Sequence, residues 1–488
     1  MIIPFLKKGF ITLTLALLIV GCGDSDPENL GNHLPDVNIV QTDKTVKVGT
    51  TVSLSSVILD VDGDELTYKW KFSEKPSASK AILKNSDKLV KETSFVADVA
   101  GKYVVELTAK DTFDAVGSDS VTIIANEGCS SYSDIDDDIR EDTVLDGCYN
   151  VKRIVNVTNE ALLTIKAGST LLFSENAGLR VSSEGRLKAT GTAENPILFT
   201  GEKRIVGSWE GIAFRGSNYQ ENEIDHAIIE YAGGRYDTDG ALQMIGNYGS
   251  DNRLKLSNTT LRHNKYYGFK FEERSIFGKF ENITSTKNGK TAGIVDISVV
   301  DQLDTQSDFR GNLGEDYVTV EGSGVRKNAT WNALSVPLNI TNGIYVSNNA
   351  LLTLNPRITL VVNSGQIIRV HNSGALKAVG TSKEPILLRG KEETAGYWYG
   401  LHFESSNSTN NRLEYLTLQH GGGGSDAGLD LDSRSESSFT RISVKHSTFS
   451  NNAGYGIYID YDRYTKYNKD IDTVNTFINN EDGSVGRR

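Results

Sequence analysis

The sequence GRLKATGTAENPIL at residues 185–198 returns as GALKAVGTSKEPIL at residues 374–387, 189 positions later. The match extends without a gap over residues 161–234 and 350–423, and 27 of these 74 aligned positions are identical. An ungapped match of this quality indicates an internal duplication. It favours architectures that grow by the addition of equivalent units.

Short apolar runs recur within each copy. The runs LLTI, GLRV, ILF and GIAF of the first copy end at residues 165, 181, 199 and 214, with separations of 16, 18 and 15 residues. Each run is rich in Val, Ile, Leu, Phe and Thr and is bounded by Gly, Asn, Ser or Pro, which is typical of β-strands. The sequence does not keep a helical periodicity over any long window, so long helices are not expected.

Short strands at even spacing fit either an antiparallel sandwich or barrel, or a solenoid whose strands stack in parallel from coil to coil. The in-register duplication favours the solenoid, because each coil buries its apolar side chains only against its neighbours. We therefore predict an all-β chain with a right-handed parallel β-helix over residues 140–488. It would contain roughly 15–20 coils and, at about 4.8 Å per stacked strand, be roughly 70–100 Å long.

The composition fits a β protein with many turns. The 488 residues allow two or three domains. They include 47 Gly, which permit turns of positive φ, and only 8 Pro, which would interrupt strands. The formal net charge is −12, from 51 basic and 63 acidic residues. An acidic chain of this kind is a poor binder of nucleic acid, so no nucleic-acid partner is expected.

The N-terminus predicts the compartment. Two lysines precede an apolar run at residues 10–20 that is too short to span a bilayer, which is typical of a secretory signal peptide over residues 1–21. The ending Ile-Val-Gly-Cys resembles the lipobox of bacterial lipoproteins. That resemblance implies cleavage before Cys22, a lipid on its thiol and a membrane as partner, and Gly23 in place of Asp implies the outer membrane. The alternative is an ordinary signal peptide with a chance Cys.

Polar residues 22–35 follow as a tether that is too poor in apolar residues to fold alone. The two remaining cysteines, Cys129 and Cys148, are 19 residues apart. In an oxidising compartment they are expected to form a disulfide, which would stabilise the fold by very roughly 3 kcal/mol through loop closure. A metal site is not expected from two thiols without a nearby His.

Residues 36–126 contain alternating strands and predict a β-sandwich. The segments DVDGDELTYKW at residues 60–70, FVADVAGKY at residues 95–103 and LTAKD at residues 107–111 together resemble the polycystin-type (PKD) immunoglobulin-like domain. The resemblance implies a spacer, or a module that contacts proteins or glycans, on a secreted or surface protein. Trp70 is expected in the core of the sandwich, and an exposed role in stacking on a ligand is the alternative.

Three carboxylates alternate in a tight turn of this module, at Asp60, Asp62 and Asp64. Carboxylate oxygens on one turn can bind Ca²⁺, a hard cation, so calcium is the cofactor that this loop predicts. The loop lacks the 12-residue EF-hand pattern, and a solvated hairpin turn is the alternative. The acidic run DIDDD at residues 134–138 is a second calcium candidate, for which a solvated linker is the alternative.

The motifs LLTIKAGSTLLF, GRLKATGTAENPILFTG, WEGIAF and IDHAIIEYAGG resemble the right-handed parallel β-helix repeat proteins of bacterial surfaces, in the pectin-lyase-like group. The resemblance covers nearly all of residues 140–488. It implies one continuous rod, with a first unit at residues 127–325, a second at residues 326–488 and an irregular middle. The group includes lyases and hydrolases, but a fold alone does not determine an activity.

The sequence contains no recognisable catalytic motif. A galacturonan hydrolase of this fold would carry Gly-His-Gly and Arg-Ile-Lys, and neither is present. The His residues of the rod are not duplicated between the copies, and no HxH or HExxH pattern occurs, so surface or ladder roles are expected for them. Stacked coils could still place two carboxylates about 5–10 Å apart, as glycoside hydrolysis requires. A cleft with three or more acidic residues and a basic residue on one face of the rod would distinguish an enzyme from a non-catalytic binding protein.

Tyrosines recur every three residues near the C-terminus, at Tyr455, Tyr458, Tyr461 and Tyr464, followed by Tyr467. Because a strand alternates its faces, this spacing sends successive tyrosines to opposite sides. The exposed members could stack on sugar rings. The alternative is a mixture of core residues and residues that cap the last coil.

The Gly-rich loop GGGGSDAGLDLD at residues 421–432 is a further candidate. Its acidic residues Asp426, Asp430 and Asp432 could contact a metal or another cation, and a solvated loop is the alternative. Taken together, these features predict a surface-exposed lipoprotein of the outer membrane with a non-catalytic binding, adhesion or envelope-structural role, and with a polysaccharide or a surface protein as partner. The alternative is a polysaccharide lyase or glycoside hydrolase that acts on an acidic polysaccharide.

Overall fold

The computed structural model describes residues 32–488 except residues 85, 87–89, 127–130, 194, 235–238 and 247–248. The predicted signal peptide and most of the tether therefore lie outside the described residues. The described chain is nearly all β, with 45 strands, one short α-helix and one 3₁₀ turn at Val300–Gln302. None of the helices in this part of the chain is long and apolar enough to span a bilayer.

The first seven strands form a sandwich. They are β1 (Asp36–Ile39), β2 (Lys44–Lys47), β3 (Thr51–Leu59), β4 (Thr67–Glu74), β5 (Glu92–Val96), β6 (Gly101–Lys110) and β7 (Val116–Asn126). One antiparallel sheet has the order β1-β3-β5, and the other has the order β2-β7-β6-β4, in which only β2 and β7 are parallel.

Alternating side chains of both sheets build the core of the sandwich. Strand β6 alternates buried and half-buried residues along its length, as expected for a strand with one face in a core. Trp70 is 1% exposed, and its Nε1 donates a hydrogen bond to the Val90 carbonyl oxygen at 3.1 Å. Phe95 packs beside Tyr103, with ring centroids 5.3 Å apart. Trp70 is thus a core residue, as predicted.

The rod begins after the sandwich. Its first-unit strands are β8 (Ser133–Ile135), β9 (Thr143–Leu145), β10 (Cys148–Val151), β11 (Ile154–Val157), β12 (Leu162–Ile165), β13 (Thr170–Phe173), β14 (Gly178–Ser182), β15 (Arg186–Thr190), β16 (Ile197–Gly201), β17 (Ile212–Arg215), β18 (Glu223–Asp225), β19 (Ala227–Glu230), β20 (Gly240–Ile245), β21 (Asn252–Ser257), β22 (Thr260–Arg262), β23 (Tyr267–Phe271), β24 (Ser275–Glu281), β25 (Thr284–Thr286), β26 (Gly293–Asp296) and β27 (Val318–Glu321).

The second unit continues the series and contains the helix α1 (Ile471–Val474). Its strands are β28 (Gly324–Val325), β29 (Ala329–Trp331), β30 (Leu338–Ile340), β31 (Ile344–Val346), β32 (Leu351–Leu354), β33 (Thr359–Val362), β34 (Ile367–His371), β35 (Ala375–Val379), β36 (Ile386–Gly390), β37 (Gly400–Glu404), β38 (Arg412–Glu414), β39 (Leu416–Gln419), β40 (Ala427–Asp432), β41 (Ser443–Lys445), β42 (Thr448–Ser450), β43 (Tyr455–Asp460), β44 (Thr476–Ile478) and β45 (Gly483–Arg487).

All named strands of the rod pair in parallel with the equivalent strands of neighbouring coils, so the rod is a parallel β-helix. One 13-stranded sheet, β11-β14-β17-β20-β23-β26-β27-β30-β33-β36-β39-β42-β44, runs through both units and makes the rod continuous. The other two faces are interrupted between the units: sheets that end at β24 and β25 are replaced by sheets that begin at β28 and β29. This interruption is the irregular middle that the sequence predicted.

The predicted number of coils is wrong. Thirteen stacked strands correspond to a rod of about 60 Å at about 4.8 Å per strand, which is shorter than the predicted 70–100 Å. The coils are longer than expected, since Ile154 pairs with Gly178, 24 residues later, and Lys188 pairs with Glu223, 35 residues later. Two strands that lie between the apolar runs, β13 and β15, were not predicted from the sequence.

The duplication is visible in individual hydrogen bonds. Trp209 and Trp398 are both fully buried, and the Nε1 of each donates to a carbonyl oxygen at 2.8 Å, that of Glu230 and that of Gln419. A buried Ser–Asn pair also recurs. The Asn222 Nδ2 donates to Ser217 Oγ at 2.7 Å in the first copy, and the Asn411 Nδ2 donates to Ser406 Oγ at 2.8 Å in the second.

Candidate functional site

One open cleft on the second unit collects acidic side chains from successive coils. It lies on the sheet that contains β34, β37, β40 and β43, and its volume is about 360 Å³. We call it the unit-2 cleft. It is lined by Arg369, His402, Phe403, Glu404, Asp426, Asp430, Asp432, Arg434, Tyr458 and Asp460.

Strand alternation explains how these side chains reach the cleft. In β40, Leu429 and Leu431 are fully buried in the core, so Asp430 and Asp432 point outward. The parallel register repeats this arrangement from strand to strand, and neighbours are about 4.8 Å apart. One outward column contains Arg369, His402, Asp430 and Tyr458, and the next contains His371, Glu404, Asp432 and Asp460.

Basic residues compensate two of the carboxylates. Glu404 lies 3.9 Å from the guanidinium group of Arg369 and also pairs with Arg434. Asp460 lies 3.9 Å from the guanidinium group of Arg488. One face of the rod therefore carries more than three acidic residues together with basic ones, which is the feature on which the alternative enzymatic function depends.

Asp430 and Asp432 lack such compensation. Within the described residues, no ion pair of 4.0 Å or less involves either carboxylate, and the buried Asp432 Oδ1 has no hydrogen-bond partner. Burial, followed by the charges of Asp426, Asp432 and Asp460, raises the pKa of Asp430 to about 7. Burial and Asp460 also raise the pKa of Asp432. Asp430 can therefore hold or release a proton near neutral pH.

His402 contributes a neutral group. Burial lowers the pKa of its imidazole to about 4. Its Nε2 lies 3.2 Å from the carbonyl oxygen of Tyr399. Because a carbonyl oxygen can only accept a hydrogen bond, we assign the proton to Nε2, which leaves Nδ1 as an acceptor. His402 was not predicted from the sequence to have a special role, because the first copy has no histidine at the equivalent position.

The first unit carries different chemistry at the equivalent positions. The outward column there contains Arg180, Ala213, Gln243 and Lys270. In the neighbouring column, Arg215 and Ile245 stand where the second unit has Glu404 and Asp432. The two units share their buried Trp and Ser–Asn pairs, so the fold does not require Glu404, Asp430 or Asp432 at these positions.

The sandwich holds a second group of carboxylates. Oxygen atoms of Asp60, Asp64 and Asp111 lie within 4.8 Å of one another. Asp62 instead accepts a hydrogen bond from the backbone N–H of His33 at 2.7 Å. The structure therefore brings together two of the three predicted calcium ligands and adds Asp111, which the sequence reading missed because it follows a different strand. Three oxygen donors suit Ca²⁺, and calcium binding stays a prediction.

The two other acidic candidates do not form compact metal sites. In the described part of the chain, the carboxylates of the sandwich are the only group of three possible ligands that meets this distance limit. Within the acidic run at residues 134–138, Asp134 accepts a hydrogen bond from Asn150 at 2.8 Å, and Asp138 lies 3.2 Å from Arg153. The carboxylates of the unit-2 cleft are spread over several strands.

The C-terminal tyrosines divide between a strand and the loop that follows it. Tyr455 and Tyr458 lie in β43, and their rings stack with centroids 5.8 Å apart, against Gly486 of the last strand. The predicted alternation is wrong for this pair, because Gly456 and Ile457, the two residues between the tyrosines, are both buried. The pair packs beside the last strand, and Tyr458 also lines the cleft. Capping of the last coil by these tyrosines stays a prediction.

Tyr461 and Tyr464 lie beyond this strand. Tyr461 is 38% exposed, and its carbonyl oxygen accepts a hydrogen bond from the Tyr464 N–H at 2.9 Å. Tyr464 lies under the Arg463 guanidinium group, which is 4.6 Å from the ring centroid. Neither tyrosine lines the unit-2 cleft, so their contact with a ligand stays a prediction.

The predicted covalent modifications lie partly outside the described residues. Cys148 is the first residue of β10, but its predicted disulfide partner Cys129 is not among the described residues, and neither is the predicted lipid acceptor Cys22. The disulfide and the lipidation therefore stay predictions.

Four histidines occupy bends of the coils, which explains why they are not duplicated. Their φ angles are positive, between 46° and 64°, at His226, His263, His420 and His446. The equivalent positions of the other copy also have positive φ and hold Tyr415, Asn451, Tyr231 and Asn258. The bend, rather than imidazole chemistry, is what the two copies share.

Comparison with known proteins supports both parts of the architecture. Residues 41–125 match a family of PKD domains, and residues 137–248 match the family described as pectate-lyase like beta helix domain. The chain thus contains a PKD domain followed by a pectate-lyase-like β-helix. No curated protein matches the chain.

Two solved structures of PKD domains are similar to part of the chain. The PKD domain from KIAA 1837 protein is 22% identical, with 22% of this chain and 99% of that chain covered and a TM-score of 0.16. The PKD domain of human KIAA0319 is 17% identical, with the same coverage and a TM-score of 0.18.

Proposed function

We propose that this protein is a polysaccharide-binding lipoprotein of the cell envelope, which a lipid on Cys22 anchors and whose β-helix presents the unit-2 cleft to its ligand. The PKD and pectate-lyase-like domains support a role connected with polysaccharides or adhesion. The observation that carries the proposal is the cleft itself, because Glu404, Asp430 and Asp432 are specific to the second unit although the core is shared.

The shape of the cleft suits an extended ligand. It crosses four stacked strands, which corresponds to about 14 Å along the rod. Carboxylates, guanidinium groups and the neutral His402 offer acceptors and donors for sugar hydroxyl groups. Tyr458 at the edge of the cleft offers an aromatic face, which can pack against the apolar side of a sugar ring.

Binding can be tested with a variant that copies the first unit. The double variant His402→Ala and Asp430→Gln gives the cleft the residue types that the first copy has at the equivalent positions, Ala213 and Gln243. We expect it to fold and to lose at least about tenfold in affinity for a polysaccharide identified on a glycan array. Glu436→Gln, on the exposed loop beyond the cleft, is the control. Equal affinity of the double variant and the wild type would refute binding in the cleft.

Cleavage of a polysaccharide is the second candidate function, and the raised pKa of Asp430 favours it. Asp430 could donate a proton to a leaving group while Asp432 activates water, since the two residues are about 6.6 Å apart along one strand, near the separation used by inverting glycoside hydrolases. Release of reducing ends, or of an unsaturated uronate by a lyase, would reveal such an activity, and Asp430→Asn should abolish it. If the protein binds the polysaccharide but releases neither product, the non-catalytic binding role stands.

Anchoring requires its own test. Metabolic labelling with radioactive palmitate should label the wild-type protein and fail to label Cys22→Ser. The wild-type protein should also fractionate with the outer membrane, whereas the variant should be released in soluble form. Unlabelled wild-type protein would contradict the lipid anchor but would leave the binding proposal intact.

A further inference from the structure

The unit-2 cleft contains more negative than positive charge after its ion pairs are taken into account. Glu404 and Asp460 lie beside guanidinium groups. Asp430 and Asp432 remain without a cationic partner within 4.0 Å among the described residues, and Asp426 lies beside them in the lining. The buried Asp432 Oδ1 also lacks a hydrogen-bond donor. Uncompensated, partly buried carboxylates favour a ligand that brings positive charge and N–H donors.

The spacing of the carboxylates argues against a single metal ion as that ligand. Asp430 and Asp432 are two residues apart on one strand, about 6.6 Å, and Asp460 lies on the next strand, about 4.8 Å further. Among the described residues, no three acidic or histidine side chains of the cleft each bring a ligand atom within 4.8 Å of the other two, whereas calcium ligands all lie about 2.3–2.6 Å from the ion. The positive charges of the ligand must therefore be distributed along the cleft.

We infer that the unit-2 cleft selects a polysaccharide that carries protonated amino groups, such as a glucosamine polymer, over neutral and acidic polysaccharides. The inference rests on the proposed polysaccharide binding and specifies the ligand class. Each ammonium group can donate three hydrogen bonds to carboxylates, and successive sugars can place such groups beside Asp430 and Asp432, which lack a cationic partner.

Comparison of the two units supports this selectivity. Where the second unit has Glu404 and Asp432, the first has Arg215 and Ile245, and where the second has Asp430, the first has the neutral Gln243. In the first unit the same fold carries basic or neutral side chains at three positions that hold carboxylates in the second unit. At a fourth position both units are acidic, with Glu272 in the first and Asp460 in the second. Since folding does not require the three carboxylates, a ligand provides a reason for them.

The test uses three soluble tetrasaccharides and the full chain: a glucosamine tetramer, its N-acetylated counterpart and a galacturonate tetramer. Isothermal titration calorimetry at pH 7 and low salt should show at least about tenfold tighter binding of the glucosamine tetramer than of the N-acetylated one, with a preference that falls as salt rises. Asp432→Asn should remove most of this preference, measured as the ratio of the two affinities. Glu436→Gln should change neither.

Other outcomes overturn the inference in distinguishable ways. Equal or tighter binding of the N-acetylated tetramer would refute the selectivity for amines and leave polysaccharide binding in place. Tight binding of the galacturonate tetramer that requires added Ca²⁺ would instead show that a metal bridges an acidic glycan to the carboxylates. Failure of all three tetramers, together with a blank glycan array, would refute the proposed function and this inference with it.

Discussion

Asp430 shows how a single residue is tuned by its position on a stacked coil. Its side chain points outward from β40, yet neighbouring rows of the cleft shield it from solvent, and burial raises its pKa to about 7. The charged and titratable groups around it come from four strands and the adjoining loop: Arg369, His402, Asp426, Asp432, Tyr458 and Asp460. The net effect disfavours the ionised carboxylate in the folded protein.

This environment predicts how Asp430→Asn changes the pH dependence of stability. The folded-state pKa of about 7 lies above the ordinary value of 3.8, so the folded protein binds the proton more tightly than the unfolded chain does. The wild type therefore keeps its full stability below about pH 4 and loses part of it as the pH rises through 7. Asn cannot ionise, so the melting temperature of the variant relative to the wild type should increase between pH 4 and pH 8.

Thermal unfolding at a series of pH values checks this prediction. Glu436→Gln, which removes an exposed carboxylate beyond the cleft, should give a nearly constant difference from the wild type over the same range. A constant difference for Asp430→Asn as well would show that its carboxyl group titrates normally in the folded state.

The sequence could identify some of these residues but not their arrangement. Asp430 and Asp432 were candidates because they stand in an acidic, Gly-rich stretch. Glu404 and Asp460 were not, since they belong to strands 28 positions away on either side of Asp432, and only the register of the coils reveals that they are neighbours. For the same reason the sequence grouped Asp62 with Asp60 and Asp64, whereas the fold substitutes Asp111.

At the scale of the element, the duplicated Ser–Asn pair fixes a loop between stacked strands. Asn411 is 1% exposed, and its side chain holds three separate groups. Its Oδ1 accepts a hydrogen bond from the Leu376 N–H at 3.1 Å, and its Nδ2 donates to Ser406 Oγ at 2.8 Å and to the Arg441 carbonyl oxygen at 2.9 Å. The pair thus connects three successive coils.

Asn411→Leu should therefore destabilise the rod strongly. It leaves a buried N–H and a buried carbonyl oxygen without partners, which should lower the free energy of unfolding by about 2–4 kcal/mol. Chemical denaturation followed by tyrosine and tryptophan fluorescence measures the change. Asn410→Leu makes the same substitution at the exposed neighbour and should stay within about 0.5 kcal/mol of the wild type. Similar losses in both variants would show that the hydrogen bonds of Asn411 are not responsible.

Strands that coincide with continuous apolar runs could be predicted from the sequence, whereas the number of residues per coil could not. Apolar runs such as ILF and GIAF predict strands because they contain the core-facing residues Phe199 and Phe214, both of which are fully buried. The strand β15 was missed because its sequence RLKAT alternates Leu187 and Ala189 with charged and polar residues, a weaker signal than a continuous apolar run. Without these strands the number of residues per coil cannot be derived, and the number of coils was overestimated.

At the scale of the whole molecule, the sandwich rests on the first unit of the rod. Ile124 of the sandwich forms a buried apolar cluster with Leu198 and Ile228 of the rod. Polar contacts surround this cluster: Arg204 donates to the Thr45 carbonyl oxygen at 3.3 Å, and Lys287 lies 3.4 Å from the Asp43 carboxylate. The buried Arg262, which pairs with Glu230 at 2.9 Å, lies 4.0 Å from Asp43.

Comparison of the two copies shows that the surface of the first unit that contacts the sandwich differs from the equivalent surface of the second unit. Ile228 is 4% exposed under the sandwich, whereas its equivalent in the second unit, Thr417, is only partly buried and polar. At the position of Ile228 the rod is apolar in the unit that contacts the sandwich and polar in the other unit. Arg262, which lies 4.0 Å from Asp43 of the sandwich, is replaced by Ser450. The sandwich therefore packs against the first unit of the rod through an apolar contact that the second unit lacks.

Matched substitutions at these equivalent positions test whether the docked arrangement persists in solution. Ile228→Asp places a carboxylate against Ile124 and Leu198, which would cost about 3–5 kcal/mol if the contact stayed closed. We expect the sandwich to detach instead, so small-angle X-ray scattering should show a larger radius of gyration and calorimetry should resolve two separate unfolding transitions. Thr417→Asp makes an acidic residue at the uncovered position and should leave both measurements unchanged. If the two variants behave alike, the sandwich already moves freely in the wild type, and the apolar surface of the first unit must be covered by something else.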